Sequence, residues 1–249
     1  MSKKVRLLFA GFRPKNYKIY LNPDRESMKI TGTATVAGQK MGRPSQRLTF
    51  HQHGLKITTA TIVKHDKKGD QEIPVSRINH HKTLDEVRLH TDQLLYPGQY
   101  TATMQFEGRV QEGMNGVYVC NYEHDGQKKQ LVATQFESHF ARQAFPCIDE
   151  PEAKAIFELT LISPKGEVAL SNMPAANDEE KDGKLVTNFR PTPRMSTYLL
   201  AFVYGDMQHK EATTKEGTAV RVWATKAHAP EALDFGLDVA KRAIQASAA

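Results

Sequence analysis

Apolar residues recur at every second position through much of the chain. Tyr17, Ile19 and Leu21 alternate with polar neighbours, as do Met28, Ile30, Gly32, Ala34 and Val36, and then Leu48 and Phe50. Tyr100, Ala102, Met104 and Phe106 repeat the pattern after Pro97-Gly98, and Phe157, Leu159 and Leu161 repeat it again. A period of two sends successive side chains to opposite faces, so these runs predict strands with one face on a core and one in water. Turn residues separate them: Asn22-Pro23-Asp24, Ala37-Gly38, Lys68-Gly69-Asp70, Asp125-Gly126, Pro164-Lys165-Gly166 and Asp182-Gly183. Asp125-Gly126 sits between two strand-like runs and predicts a hairpin, because both turn positions tolerate positive φ. The segment 198–204 is apolar on both faces and predicts a strand covered from two sides. Short strands with close turns predict a mostly β fold, an antiparallel saddle or sandwich.

The pattern changes near the end. Val220, Val222 and Ala224 make a further strand, and Pro230 opens a helical run with Leu233, Leu237, Ala240 and Ile244 on one face. The change predicts two units, a β-rich domain over residues 1–206 and the start of a second, incomplete domain over 207–249. The helix reaches the last residue without a cap, as expected of a chain cut within a larger fold.

Composition narrows the class. The 249 residues carry 39% hydrophobic and 25% charged residues, enough to bury a core without staples. No apolar run is long enough to cross a bilayer. The basic start at Lys3, Lys4 and Arg6 leads only into a short apolar stretch, which does not read as a signal peptide. Cys120 and Cys147 are too few for a disulfide framework; they read as reduced thiols in a cytoplasmic protein, with a single bridge between them as the alternative. The net charge of +6 raises the question of nucleic acid. The cations are scattered, however, and read as a solvated surface, so neither nucleic acid nor a membrane is expected as a partner.

One stretch carries more information than the rest. Thr134-Gln135-Phe136-Glu137 is followed by Ala141-Arg142-Gln143-Ala144-Phe145-Pro146-Cys147-Ile148-Asp149-Glu150-Pro151. It closely resembles the aminopeptidase N family of zinc metallopeptidases, and Met114-Asn115-Gly116-Val117-Tyr118 and Lys154-Ala155-Ile156-Phe157 extend the likeness. So do 169–174, 192–202 and 220–224, in family order. Val117, Val119, Cys120, Phe140 and Gln143 depart from the family pattern locally. The resemblance implies a recognition domain of a zinc-dependent aminopeptidase and the opening strand and helix of its thermolysin-like catalytic domain. Peptides with a free N-terminus would be its substrates, and the rest of its own polypeptide its partner.

Such an enzyme must activate water and must also locate a free amino end. The first task needs zinc held by H-E-x-x-H and a further Glu. None of the ten histidines starts that motif, and the family's G-A-M-E-N segment is also missing. No catalytic residue and no zinc ligand is therefore expected in this chain, which should be inactive alone. The second task needs a carboxylate where an ammonium group sits. The resemblance implies that Glu137 pairs with the substrate's α-amino group and that Gln135 contacts the same first residue. Alternation puts Gln135 and Glu137 on one side and Phe136 on the other.

Other groups read as structural. His51 and His53 are expected to be a solvent-facing pair, Asn79-His80-His81 a polar loop, and Cys147 a packed thiol. Asp149 and Glu150 are expected to fix backbone amides and Arg142. A free-standing β-sandwich binding or scaffold module without catalysis is the alternative of another class.

Overall fold

The computed structural model describes residues 7–67 and 69–247; the basic positions Lys3, Lys4 and Arg6, the turn residue Lys68 and the last two alanines lie outside the described residues. The strands in chain order are β1 Phe12–Asp24, β2 Lys29–Lys40, β3 Ser45–His51, β4 Lys56–Asp66, β5 Gly69–Ile73 and β6 Arg77–His81. They continue as β7 Glu86–Leu95, β8 Gly98–Arg109, β9 Gly116–His124, β10 Gln127–Gln135, β11 Ile156–Pro164 and β12 Val168–Ser171. The last are β13 Ala175–Lys181, β14 Lys184–Phe189, β15 Phe202–Gly205, β16 Met207–Thr213 and β17 Ala219–Thr225, before helix α1, Asp234–Ser247.

Eight strands form the main sheet in the order β13-β14-β11-β1-β2-β8-β4-β5. Its pairs are antiparallel except β1 with β11, where Tyr17 lies beside Phe157 in parallel register. That pair needs a crossover, and residues 25–155 supply it with four further strands of the main sheet and with strands of two smaller sheets. These are β3-β7-β6 and β12-β15-β10-β9. Every member of the alternating sets Tyr17–Leu21, Tyr100–Phe106 and Phe157–Leu161 is buried, as are Ile30, Ala34 and Val36. The two-residue period therefore marks the core face of the main sheet. Tyr17 stacks on Phe157 at 5.0 Å, adding an aromatic pair to the burial.

Asp125 and Gly126 both have positive φ and join β9 to β10, and Asp182 and Gly183 do the same for β13 and β14. Three sequence expectations need correction. Ala37-Gly38 is not a turn but lies within β2, where a Cβ on Gly38 would fall 2.5 Å from the Arg13 carbonyl oxygen. The glycine permits close approach of β1, a need that composition alone does not distinguish from a turn. Asn22-Pro23-Asp24 remains in β1, and the chain reverses just after it, where Asp24 Oδ1 accepts from the Glu26 amide at 3.0 Å. The segment 198–204 is not one strand: Thr197–Leu199 is a 3-10 turn, and only β15 within it is a strand. The Asn172 side chain takes the Leu199 carbonyl and the Ala201 amide, both at 2.8 Å, so these groups are satisfied outside a ladder.

Beyond β15 the chain makes a separate two-stranded sheet, β16 with β17. Asp206, at the joint, is ion-paired with Lys129 and Lys226, which hold its carboxyl below the usual range. Helix α1 lies against both strands. Leu233 is buried, whereas Phe235 (78% exposed), Val239 and Ile244 face outward.

Candidate functional site

Thr134 and Gln135 end β10, Phe136 and Glu137 follow it, and the four split their duties by parity. Thr134 Oγ1 donates to the Phe202 carbonyl at 3.1 Å and accepts from the Phe202 amide at 2.9 Å, which fastens β10 to β15. Phe136 is buried and meets Phe145 edge-on at 6.2 Å; Phe145 in turn meets Tyr17 at 6.2 Å. An aromatic chain thus runs from the end of β10 into the main core. Gln135 and Glu137, on either side of Phe136, are exposed. The Glu137 amide donates to Gln135 Oε1 at 3.3 Å, so the two polar residues are tied to each other as well as to the same anchor. The Glu137–Ser138 peptide is cis.

The neighbouring strand supplies the other side. Gln135 pairs with Gly116, which follows Met114, an exposed apolar residue, in the loop entering β9. Gly116 has φ +71°, and a Cβ there would lie 2.6 Å from Gln143 Oε1. The glycine thus serves both the backbone turn and the packing of Gln143, one of the positions at which this chain departs from the family pattern.

Residues 141–151 form the joint that holds this end of β10. Arg142 donates from Nε to Asp149 Oδ2 at 3.1 Å and from Nη2 to the Asp149 carbonyl at 3.1 Å. Thr197 Oγ1 donates to Asp149 Oδ1 at 2.7 Å. Glu150 accepts from the Leu8 and Phe9 amides at 2.7 and 3.1 Å. The Asp149 and Glu150 carboxylates therefore act on Arg142 and on backbone amides, as their pattern suggested. Cys147 is fully buried, and burial pushes its thiol well up, so it is a packed group and not a nucleophile.

His51 corrects the expectation of a solvent-facing histidine pair. It is buried, its backbone bridges Cys147, and its Nδ1 accepts from the Asp149 amide at 3.0 Å. Burial, helped by Arg142, lowers its pKa to about 3, so the ring is neutral with its proton on Nε2. The 3.8 Å approach of that nitrogen to Glu150 is accordingly neither an ion pair nor a hydrogen bond. His53 is exposed and bonds Asp85 at 2.9 Å. Strand β3 stops at His51, so the two rings do not share a strand face. Asn79, His80 and His81 are not a loop either; they pair with β7 in β6, where β-ladder bonds outweigh polar composition.

Among the described residues, no three His, Cys, Asp or Glu side chains stand close enough to share a metal ion. The residues present do not fit a zinc ligand set, and no chemical step is assigned to them. A cleft of about 950 Å³ lies along Leu7–Phe12, Lys40–Thr49 and His90. Neither Gln135 nor Glu137 lines it. Sequence reasoning did not single out this cleft; the signal was Lys40, which holds an apolar-face position in the run Ile30, Gly32, Ala34, Val36 and Gly38.

Comparison with known proteins gives a consistent picture. Residues 13–199 match the peptidase M1 N-terminal domain. The chain is 39% identical over 248 residues to an aminopeptidase N of Lactococcus lactis subsp. lactis, covering 98% of this chain and 27% of that protein. It is 40% identical over 244 residues to the aminopeptidase N of Lactobacillus helveticus, covering 97% of this chain and 27% of that protein. It is 34% identical over 233 residues to the aminopeptidase M1-A of Oryza sativa subsp. japonica, covering 93% of this chain and 26% of that protein. The chain thus spans about a quarter of the length of the curated relatives it matches. With the family match over most of its length and a mostly β fold to go with it, the chain belongs to the peptidase M1 N-terminal domain family.

Proposed function

We propose that this chain is the substrate-end recognition part of a zinc-dependent aminopeptidase that removes N-terminal residues from peptides. In this reading Glu137 pairs with the peptide's α-ammonium group, and Gln135 contacts the first residue and walls its pocket. The remainder of the polypeptide carries the zinc and performs hydrolysis. The domain boundary falls between residues 206 and 207, where Asp206 joins the two sheets. The enzyme works in the cytoplasm, in keeping with two unpaired cysteines.

The observation that carries the reading is the parity at the end of β10: two exposed polar side chains flank one fully packed aromatic. A carboxylate that must meet a cation has to reach solvent, yet must be held still to orient it. Phe136 and Thr134 supply the hold. A charge-assisted bond from ammonium to carboxylate is stronger than a neutral one, and it fixes the distance from the amino end to the bond that is cut.

The test is Glu137→Ala in the full-length enzyme, with aminoacyl reporter kinetics and metal analysis side by side. Loss of one hydrogen bond to a charged group costs about 1.5–3 kcal/mol, so kcat/KM should fall roughly 10- to 100-fold while zinc content stays at the wild-type level. Wild-type kinetics in that variant would remove Glu137 from the site.

A further inference from the structure

Lys40 breaks the pattern of its own strand. It sits on the buried face of β2 after Ile30, Ala34 and Val36, and is only 4% exposed. Its Nζ donates to the Arg43 carbonyl at 2.8 Å and weakly to the Met41 carbonyl at 3.4 Å. An ammonium group has three donors, and among the described residues no carboxylate pairs with this one. A buried cation is costly unless something compensates it, and burial here pulls its proton affinity down.

The compensation has a place to come from. Lys40 lines the cleft of about 950 Å³, which takes Arg43, Arg47 and His90 but, among the described residues, no Asp or Glu into its lining. His90 Nε2 is buried there and has no hydrogen-bond partner among the described residues. Burial, with the guanidinium groups of Arg77, Arg47 and Arg88 nearby, keeps that imidazole short of protons. The same lining carries apolar side chains, Leu7, Phe12 and Met41, and Phe12 stands beside Lys40 in the β1–β2 register. Its volume lies in the range of sites that enclose small ligands. A buried ammonium group that has carbonyl acceptors but no carboxylate partner among the described residues, set among apolar side chains, suits one class of molecule.

We propose that this cleft binds a ligand with an apolar body and a single carboxylate, the carboxylate taken by Lys40 and Arg43 and the body lying against Leu7, Phe12 and Met41. The site is separate from Gln135 and Glu137 and does not depend on the aminopeptidase reading.

Calorimetric titration of the full-length protein with hexanoate, hexanamide and inorganic phosphate tests it. Hexanoate should bind saturably and at least about tenfold more tightly than hexanamide, which has the same shape without the charge. Phosphate should bind more weakly than hexanoate, because it leaves the apolar side chains bare. Lys40→Met should erase the preference for hexanoate over hexanamide and leave Tm unchanged or raised, since it removes an uncompensated charge. A merely structural lysine would instead lower Tm and leave the preference intact. Arg43→Ser, at an exposed position, should weaken hexanoate binding without touching the core. No binding of hexanoate, equal binding of hexanamide, phosphate as tight as hexanoate, or unchanged affinity in both variants would each overturn the proposal.

Discussion

At the residue scale the chain is organised by parity. Phe136 is the clearest case, since one buried ring fixes two exposed polar neighbours. Phe136→Ala should cost about 3–5 kcal/mol of stability, the usual range for a buried phenylalanine, as a drop in the midpoint of denaturant unfolding. A loss under about 1 kcal/mol would mean the ring anchors nothing. Asp149 is a second such residue. Its side chain is fully buried beside Arg142, whose side chain is 14% exposed. Asp149→Ala would leave that guanidinium without its carboxylate and should cost about 3–5 kcal/mol. An Arg142→Met, Asp149→Ala double variant should recover part of the loss, and purely additive losses would argue against the pair. The alternating core positions were legible in the sequence because a two-residue period has one structural meaning. Gln135 and Glu137 were legible only as surface groups; their role came from the resemblance, because an exposed carboxylate carries no mark of what it meets.

At the element scale, strands marked by a two-residue period were read correctly, whereas β6, expected as a polar loop, and the joints between sheets were not. The β9–β10 hairpin follows from Asp125-Gly126 alone. The bridge from His51 to Cys147 does not, since its partners are 96 residues apart and no local pattern announces them. That joint has a pH signature. A histidine with its folded pKa lowered to about 3 favours the folded state when neutral, so its contribution is present above the unfolded value near 6.5. The contribution is lost progressively as pH falls from there toward 3, because the unfolded chain takes up the proton first. The expected slope approaches 1.4 kcal/mol per pH unit within that window. His51→Asn should flatten the slope in denaturant titrations run from pH 7 to pH 4. An unchanged slope would show that the ring is free to protonate in the folded protein. Gly38 shows the same limit of sequence reading: a glycine needed for close strand approach looks like a glycine needed for a turn.

At the scale of the whole molecule, the main sheet carries the largest part of the core and the four-stranded sheet presents the candidate residues at its margin. The antiparallel β character was plain from the turns and the period. The parallel pairing of β1 with β11 was not, because it joins strands far apart in sequence. On the proposed reading the 249-residue chain should hydrolyse no aminoacyl reporter; turnover by the purified chain would place catalytic groups within it. The central claim is that the Glu137 carboxylate meets the substrate's ammonium group. It is tested most directly by inhibition of the full-length enzyme with leucinol and with 4-methylpentan-1-ol, which lacks only the amine. Both are measured against wild type and Glu137→Gln. The amine's advantage should shrink by roughly tenfold or more in the variant, the loss expected for one charge-assisted bond. An advantage of equal size in both proteins would contradict the claim.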